Sequence, residues 1–480
     1  MTIKDKLTSE PGFQYVVDHM ELMSATGRRR MLGQPFLTDP QTLGQEYDNT
    51  DRIVRILQDD TQTRHVAVIR HQLMQMHDLQ GTLVNLKHGM VLEEIELFEI
   101  KNFAFLCMES AKAADALAIT SILNIPDLHD IFDLLDPDGT HIPNFYIYDS
   151  YHPDLPALRR ELKAKQALLD NHSGSPEERA SLLRDINQLF ESQNAIQQQV
   201  IAALSDKLHR HADRLQEASD RMAYTDFLFA KATLAEEWHL CRPLIADSDG
   251  KTQARLVGLW NPRLKQRNDE LHLRYQPVDI DLLSGVCLIT GANMAGKTVL
   301  LKTVGIAQLL AQFGCFVPAV SASLRPVDDV VFCIGDEQNE MNGLSSFASE
   351  ITKISDTLTR SERERLLILI DEPARTTNPV EGKAIVQAVA SLLDKSHSAS
   401  LITTHYSQLG LPCRKLRVKG FVEDQAQVPL SPETINQFMD YSLLPDDSDD
   451  VPQEALRIAT ILGCNAHLLH EAQQFLAGKR

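Results

Sequence analysis

The sequence predicts an all-α N-terminal half followed by an α/β domain built on a parallel sheet, and three observations predict it. Apolar residues recur at three- and four-residue spacings through most of residues 12–242, with few glycines or prolines. From about Arg242 the texture changes to short apolar runs alternating with helical patterns, as in a parallel sheet crossed by helices. Within that second half, Gly291-Ala-Asn-Met-Ala-Gly-Lys-Thr298 lies between an apolar run (286–290) and a helical pattern (299–313). Strand, glycine-bearing loop and helix in that order aim backbone N–H groups and a positive helix end at a polyphosphate.

In chain order, residues 13–26, 51–73 and 83–118 read as helices, with Gly89 as a breaker in the last. Turn residues crowd 133–143, a helix resumes over 156–170, and 171–176 interrupts it. Ser175, Pro176, Glu177 and Glu178 spell a helix start: an N-cap, a proline in the first turn, and acids at the positive end of the dipole. From 177 to 241 there is neither Gly nor Pro, and one continuous helix there would reach roughly 95 Å. Gln188, Gln193, Gln197, Gln198 and Gln199 suggest a solvated face, hence an antiparallel hairpin or lever in preference to a compact bundle. Residues 286–290, 330–334, 366–370 and 400–403 read as strands. After Asp424 the chain turns polar, gathers Asp446, Asp447, Asp449 and Asp450, and ends in helices over 452–463 and 466–477. The expected division is a helical domain over 12–242, the α/β domain over 243–430, and a C-terminal helical segment over 431–480.

Composition bounds the function. The chain has 480 residues, with 47 Lys and Arg against 66 Asp and Glu, a formal net charge of −19. Lys and Arg against phosphate dominate duplex DNA binding, so an acidic chain is a poor constitutive DNA binder unless a basic surface is concentrated locally. Seven scattered cysteines include no C-x-x-C pair, which argues against a zinc site and a disulfide framework. The first ten residues lack the apolar core of a signal peptide, and no apolar run approaches a membrane span. A reduced, cytoplasmic protein without membrane contact is the simplest expectation.

The chemistry-bearing residues follow the loop. The backbone from Gly291 through Ala292, Asn293, Met294, Ala295 and Gly296 to Val299 is placed to cradle ATP; Lys297 is placed to neutralise the β- and γ-phosphates and Thr298 to ligate Mg²⁺. The apolar run 366–370 ends in Asp371 and Glu372, 74 positions after Lys297 (371 − 297). At a strand tip, Asp371 can hold Mg²⁺ through its water shell, and Glu372 can orient or deprotonate an attacking water. Pro373 predicts an extended Glu372. His405, after the next strand, reads as a γ-phosphate sensor in preference to a plain surface histidine. Ser345 or Ser346 caps a helix running to Leu358, with Glu350 in its first turns. That helix end is suited to face the γ-phosphate of a partner subunit.

Taken in order, these residues resemble the MutS family of ATPases. Thr290–Thr298 and Gly314-Cys-Phe-Val-Pro-Ala319 look like its phosphate-loop block, and Gly343-Leu-Ser-Ser-Phe347 with Glu350 like its trans-acting signature. Asp371-Glu-Pro-Ala-Arg-Thr-Thr-Asn-Pro-Val-Glu-Gly382 looks like its magnesium strand and dimer-contacting loop, and Thr404-His-Tyr406 like its histidine switch. Trp260-Asn-Pro262 stands where the family has His-Pro, and Tyr275 stands where the family stacks an aromatic on adenine. Ser24-Ala-Thr-Gly-Arg-Arg-Arg30 through Asp39 is similar to the start of the family's helical core, and 451–463 with the following helix to its dimerising segment.

The resemblance implies an ATP- and Mg²⁺-dependent switch that dimerises with itself or with a MutS-like paralogue. Departures shape the rest. Only about a dozen residues precede the core, so the domain with the mismatch-reading Phe-x-Glu is expected to be absent, and Phe421-Val-Glu423 has that spelling by coincidence. Asn378-Pro-Val-Glu-Gly382 looks most like the branch carrying a C-terminal Smr nuclease, without room for that domain, and Ala292 and Ala295 replace the usual Pro and Gly. Two clients fit: branched or damaged DNA, handled without mismatch reading, or a protein client such as an adenosylcobalamin-dependent aminomutase. A transporter ATPase would carry its signature just before the magnesium strand, which 359–365 does not. Chromosome-organising ATPases insert a long coiled coil between the two phosphate motifs, and 74 positions leave no space for one.

Overall fold

A computed structural model describes residues 1–8, 10–171, 175–246, 251–291, 296–335, 346–422, 438–446, 455–461 and 463–477. The N-terminal half is helical: α1 (Ile3–Lys6), α2 (Pro11–Asp18), α3 (Ala25–Leu32), α4 (Pro40–Leu57), α5 (Thr63–Met74), α6 (Gln80–Lys87), α7 (Glu94–Ala116), α8 (Thr120–Leu123), α9 (His129–Leu135), α10 (Leu155–Asp170), α11 (Pro176–His209) and α12 (Ala212–Glu237). The second half interleaves β1 (Leu244–Ile245), β2 (Thr252–Leu259), α13 (Pro262–Glu270), β3 (Val278–Leu283), β4 (Gly285–Thr290), α14 (Lys297–Gln312), β5 (Ser321–Leu324) and β6 (Asp329–Cys333). It continues with α15 (Ser346–Ser361), β7 (Leu366–Ile370), α16 (Pro379–Leu393), β8 (Ala399–Thr403), β9 (Arg414–Phe421), β10 (Met439–Pro445), α17 (Ala455–Ile461) and α18 (Ala466–Ala477).

The chain forms two compact units, and neither coincides with the predicted cut near residue 242. One comprises Leu22–Leu32 and Arg55–Ala230; the other comprises Met1–Glu21, Gly33–Val54 and Lys231–Arg480. The early segments join the α/β unit because their apolar residues cover α14. Phe13 stacks on Phe313 at 5.6 Å and Phe36 meets it edge-on at 5.3 Å. Tyr47 donates its hydroxyl to the Ala311 carbonyl (2.8 Å), and Leu37 N–H donates to the Gln312 carbonyl (2.8 Å).

In the helical unit, the Ser24-Ala-Thr-Gly27 turn is tied to α12. Asp226, buried, accepts from the N–H groups of Met23 and Ser24 and from the Ser24 hydroxyl. A Cβ on Gly27 would lie 2.1 Å from the Asp226 carboxylate, so only glycine fits there. Lys101 on α7, fully buried, spends its three protons on Asp136 Oδ1 (2.9 Å), the Asn144 carbonyl and Tyr148 Oη (2.8 Å each), which pins the turn-rich 136–148 segment. Burial opposes the charge of Asp136, yet hydrogen bonds from Thr140, the His141 amide and Lys101 outweigh it and hold the carboxyl at about 2. The Ser175 N-cap forms with Glu178 as a capping box.

The Gly- and Pro-free stretch 177–241 is not one helix; it is broken at Arg210–His211. No Gly or Pro marks the break; tertiary anchors stand on both sides of it. His209 Nδ1 bonds the Leu86 carbonyl (2.7 Å), and Arg214 pairs with Asp130 (2.5 Å). α11 alone is about 51 Å long and is braced along α10 by Lys165–Asp185 (2.8 Å).

Among the described residues the α/β unit holds two sheets. A six-stranded sheet has the order β10-β9-β4-β8-β7-β6, parallel except for the edge strand β10; the four-stranded sheet is β1-β5-β2-β3. Every residue of β4, β7 and β8 is buried, as expected of a parallel sheet covered on both faces. Leu369 of β7 turns toward Gly305 of α14, whereas Leu366, Ile368 and Ile370 join Ile354 of α15 and Val386, Val389, Ala390 and Leu393 of α16. Phe421 is buried in β9 and stacks on Phe438 at 5.8 Å, a core role. Among the described residues no helix is long and apolar enough to cross a membrane.

Candidate nucleotide site

The parallel register brings the C-terminal ends of β4, β7 and β8 together, the edge at which α/β sheets bind ligands. β4 delivers Gly291 and, beyond the loop, the N-terminus of α14, capped by Gly296 in the left-handed region (φ 74°). β7 delivers Asp371 and Glu372, and β8 delivers Thr403 and Thr404. Ala292, Asn293, Met294, Ala295 and Ser345 lie outside the described residues, as does the side chain of Ser346 at the start of α15.

Four predicted residues meet through hydrogen bonds and charge. Thr298 Oγ1 donates to Asp371 Oδ2 (2.6 Å). Lys297, 5 % exposed, donates to the Gly291 carbonyl (2.8 Å) and stands 3.6 Å from Glu372 Oε1. The other carboxylate oxygen of Glu372 is 3.7 Å from Arg375. An ammonium, a hydroxyl and two carboxylates at the head of a helix suit a polyphosphate with a hard divalent cation, for which oxygen ligands are preferred. Thr298 and Asp371 are the residues that would hold Mg²⁺. No cluster of three or more His, Cys, Asp or Glu suited to a metal occurs among the described residues.

Glu372 departs from expectation. It is not extended: its φ is +46°, and Ala374 follows at +60°. A residue before proline is kept out of the right-handed helical region, but that leaves the left-handed region open. Here the Glu372 N–H donates to Thr403 Oγ1 (2.9 Å), while Thr403 donates to Asp371 Oδ1 (2.6 Å). That pairing turns the Glu372 side chain back toward Lys297. Two non-glycine residues with positive φ cost of order 1–3 kcal/mol each, and such strain gathers at functional sites.

His405 is exposed, and its described contact is the Tyr406 ring, 4.3 Å away. Val299 sits in the first turn of α14, where its carbonyl accepts from Thr303 Oγ1 (2.6 Å). Tyr275 is anchored rather than free: its hydroxyl accepts from the Asn261 N–H (2.7 Å), and Asn261 caps α13 and donates to Thr303 (3.1 Å). Burial pushes the Tyr275 phenol up.

Sequence reasoning passed over Thr403, which bonds both acidic residues, and Tyr441. A Cβ on Gly296 would meet the Tyr441 ring at 3.1 Å, so that ring lies against the loop's end. Gln276 fixes it, accepting from the Tyr441 N–H (3.2 Å) and donating to Asp440 (2.9 Å). Neither residue belongs to a motif; only the return of β10 beside β9 could have announced Tyr441.

The sequence profile of MutS domain V matches residues 287–477. The chain is 34 % identical over 233 residues to the endonuclease MutS2 of Agathobacter rectalis, covering 48 % of this chain and 28 % of that protein. It is 34 % identical over 217 residues to the DNA mismatch repair protein MutS of Chlorobium limicola (45 % and 24 %), and 29 % over 270 residues to that of Thermus aquaticus (56 % and 32 %). The matches thus span about a quarter to a third of each relative's length. Across residues 287–477, where Lys297, Thr298, Asp371 and Glu372 converge, the chain matches domain V of the MutS family.

Proposed function

We propose that this protein is a dimeric ATP-binding and ATP-hydrolysing switch that handles DNA. The observation that carries the reading is the linked set Thr298–Asp371–Thr403–Glu372–Lys297 at the head of α14. Lys297 and the backbone of the loop bind the triphosphate, and Thr298 with Asp371 holds Mg²⁺, which when bound offsets the charge that develops on the phosphates. Glu372 orients the attacking water and accepts its proton. His405 senses the γ-phosphate, and Ser345 of a second copy completes the site, so that ATP joins two subunits and hydrolysis separates them. The α10–α11 pair and α12 serve as the lever that passes closure to the client.

The test is size-exclusion chromatography with light scattering, run beside a phosphate-release assay. Glu372→Gln is expected to bind ATP, stop hydrolysing and accumulate as a dimer; Lys297→Ala is expected to do none of these. Wild-type turnover by Glu372→Gln, or a monomer that holds ATP, would overturn the proposal. A second reading, a protein client such as an adenosylcobalamin-dependent aminomutase, draws support from charge. The helical unit carries 19 Lys and Arg against 27 Asp and Glu, a net of −8 (19 − 27), the wrong sign for gripping phosphates.

A further inference from the structure

We propose that Glu350, Tyr406 and Gly382 form a clamp on the backbone of Ala374 that fixes the direction in which Glu372 presents its carboxylate; the role rests on Glu372 serving ATP hydrolysis. Glu372 and Ala374 occupy the left-handed region on either side of Pro373 (φ 46° and 60°). Left-handed non-glycine residues persist only where their surroundings over-determine them. The surroundings here are three separate elements. From α15, Glu350 Oε1 accepts the Ala374 N–H (3.2 Å). From the loop after β8, Tyr406 Oη donates to the Ala374 carbonyl (3.2 Å), which also receives the Thr377 N–H (3.4 Å).

From α16 comes an absence of side chain. A Cβ on Gly382 would lie 2.2 Å from Tyr406 Oη and 3.0 Å from the Ala374 carbonyl, so glycine is what lets the phenol reach that carbonyl. Ala374 itself is fully buried, leaving water little access as a substitute partner. With both polar groups of Ala374 held, the backbone cannot relax to a right-handed or extended path, and Glu372 stays turned toward Lys297. The three residues act on Glu372 through the Ala374 backbone; they are positioning residues, so their loss should lower kcat and spare nucleotide binding.

Glu350→Ala, Tyr406→Phe and Gly382→Ala are each expected to lower kcat about tenfold, with the nucleotide Kd held within about twofold. Glu350→Gln keeps an acceptor oxygen and is expected to stay within about threefold of wild type. Tyr406→Phe combined with Gly382→Ala should be no worse than either alone, since both remove one bond. Amide hydrogen exchange over residues 371–377 of the full chain supplies a readout independent of turnover, and Glu350→Ala should accelerate it. Glu372→Gln separates the two claims. If it hydrolyses like wild type, the role assigned to Glu372 fails and exchange alone decides whether the clamp exists. If it is inactive while the three variants turn over normally, or if exchange is unchanged, the clamp is overturned.

Discussion

Thr403 shows how one neutral side chain can govern two charged ones. Its hydroxyl donates to Asp371 and receives the Glu372 N–H, and the residue is fully buried. Thr403→Val is nearly isosteric but leaves one half-buried carboxylate oxygen and one half-buried N–H with a partner removed. Hydrogen bonds to charged groups contribute about 1.5–3 kcal/mol, so kcat should fall about 10- to 100-fold and the apparent Mg²⁺ requirement should rise. Steady-state turnover across a Mg²⁺ titration checks this; a variant with wild-type kcat and Mg²⁺ dependence would remove Thr403 from the site. Lys297, Thr298, Asp371 and Glu372 were legible because their chemistry demands those residue types in one order. Thr403 was not, because a threonine ending a buried strand looks like any other, and His405 two positions on drew the attention. Glu350 was named only as part of a signature. Its carboxyl is pushed up by burial, against the opposing effects of the Ala374 N–H and of Arg375, which marks a side chain held inward.

At the scale of elements, α14 must lie close to the sheet for its first turn to meet the tip of β7. Gly305, in its middle, permits this: a Cβ there would fall 2.3 Å from the Phe332 ring and 2.7 Å from Leu369 Cδ1. Both neighbours are buried and belong to strands, so neither can swing aside. Gly305→Ala would gain about 1 kcal/mol of helix propensity, but overpacking a close-packed core costs typically 1–3 kcal/mol. With contacts as short as 2.3 Å the clash wins, and we expect a net loss of up to about 2 kcal/mol, with reduced turnover as α14 shifts. Thermal unfolding with and without ATP measures it; a more stable variant would show that propensity dominates. The strands β4, β7 and β8 were readable almost to the residue because unbroken apolar runs permit little else. The four-stranded sheet was not, since β2 follows no regular alternation of buried and exposed residues and includes Gly258 in the left-handed region. Nor was the break between α11 and α12, which is set by His209 and Arg214 reaching other helices rather than by any local breaker.

At the scale of the whole molecule, charge constrains what the protein can grip. Both units are acidic: the helical one at −8, the other with 28 Lys and Arg against 39 Asp and Glu, a net of −11 (28 − 39). The cations are not idle either, for Arg29, Lys165 and Arg214 are each paired with an aspartate of their own unit. Each phosphate that a protein neutralises on B-DNA adds about 0.9 to the slope of log K against log salt. An acidic surface that engages some of its own cations should neutralise few phosphates. We therefore expect DNA to stimulate ATP turnover at low ionic strength, with a slope shallower than about −4, and to lose its effect near physiological salt. The measurement is phosphate release with duplex and branched DNA from 20 to 200 mM salt, about a tenfold range chosen to span that decay, with Lys297→Ala as the blank. A slope near −10 would mean that a concentrated basic groove assembles in the dimer despite the acidic total. Turnover indifferent to either DNA at every salt concentration would remove nucleic acid as the client. The acidic helical unit would then be a protein-docking surface, to be tested by capture with the ATP-locked Glu372→Gln dimer.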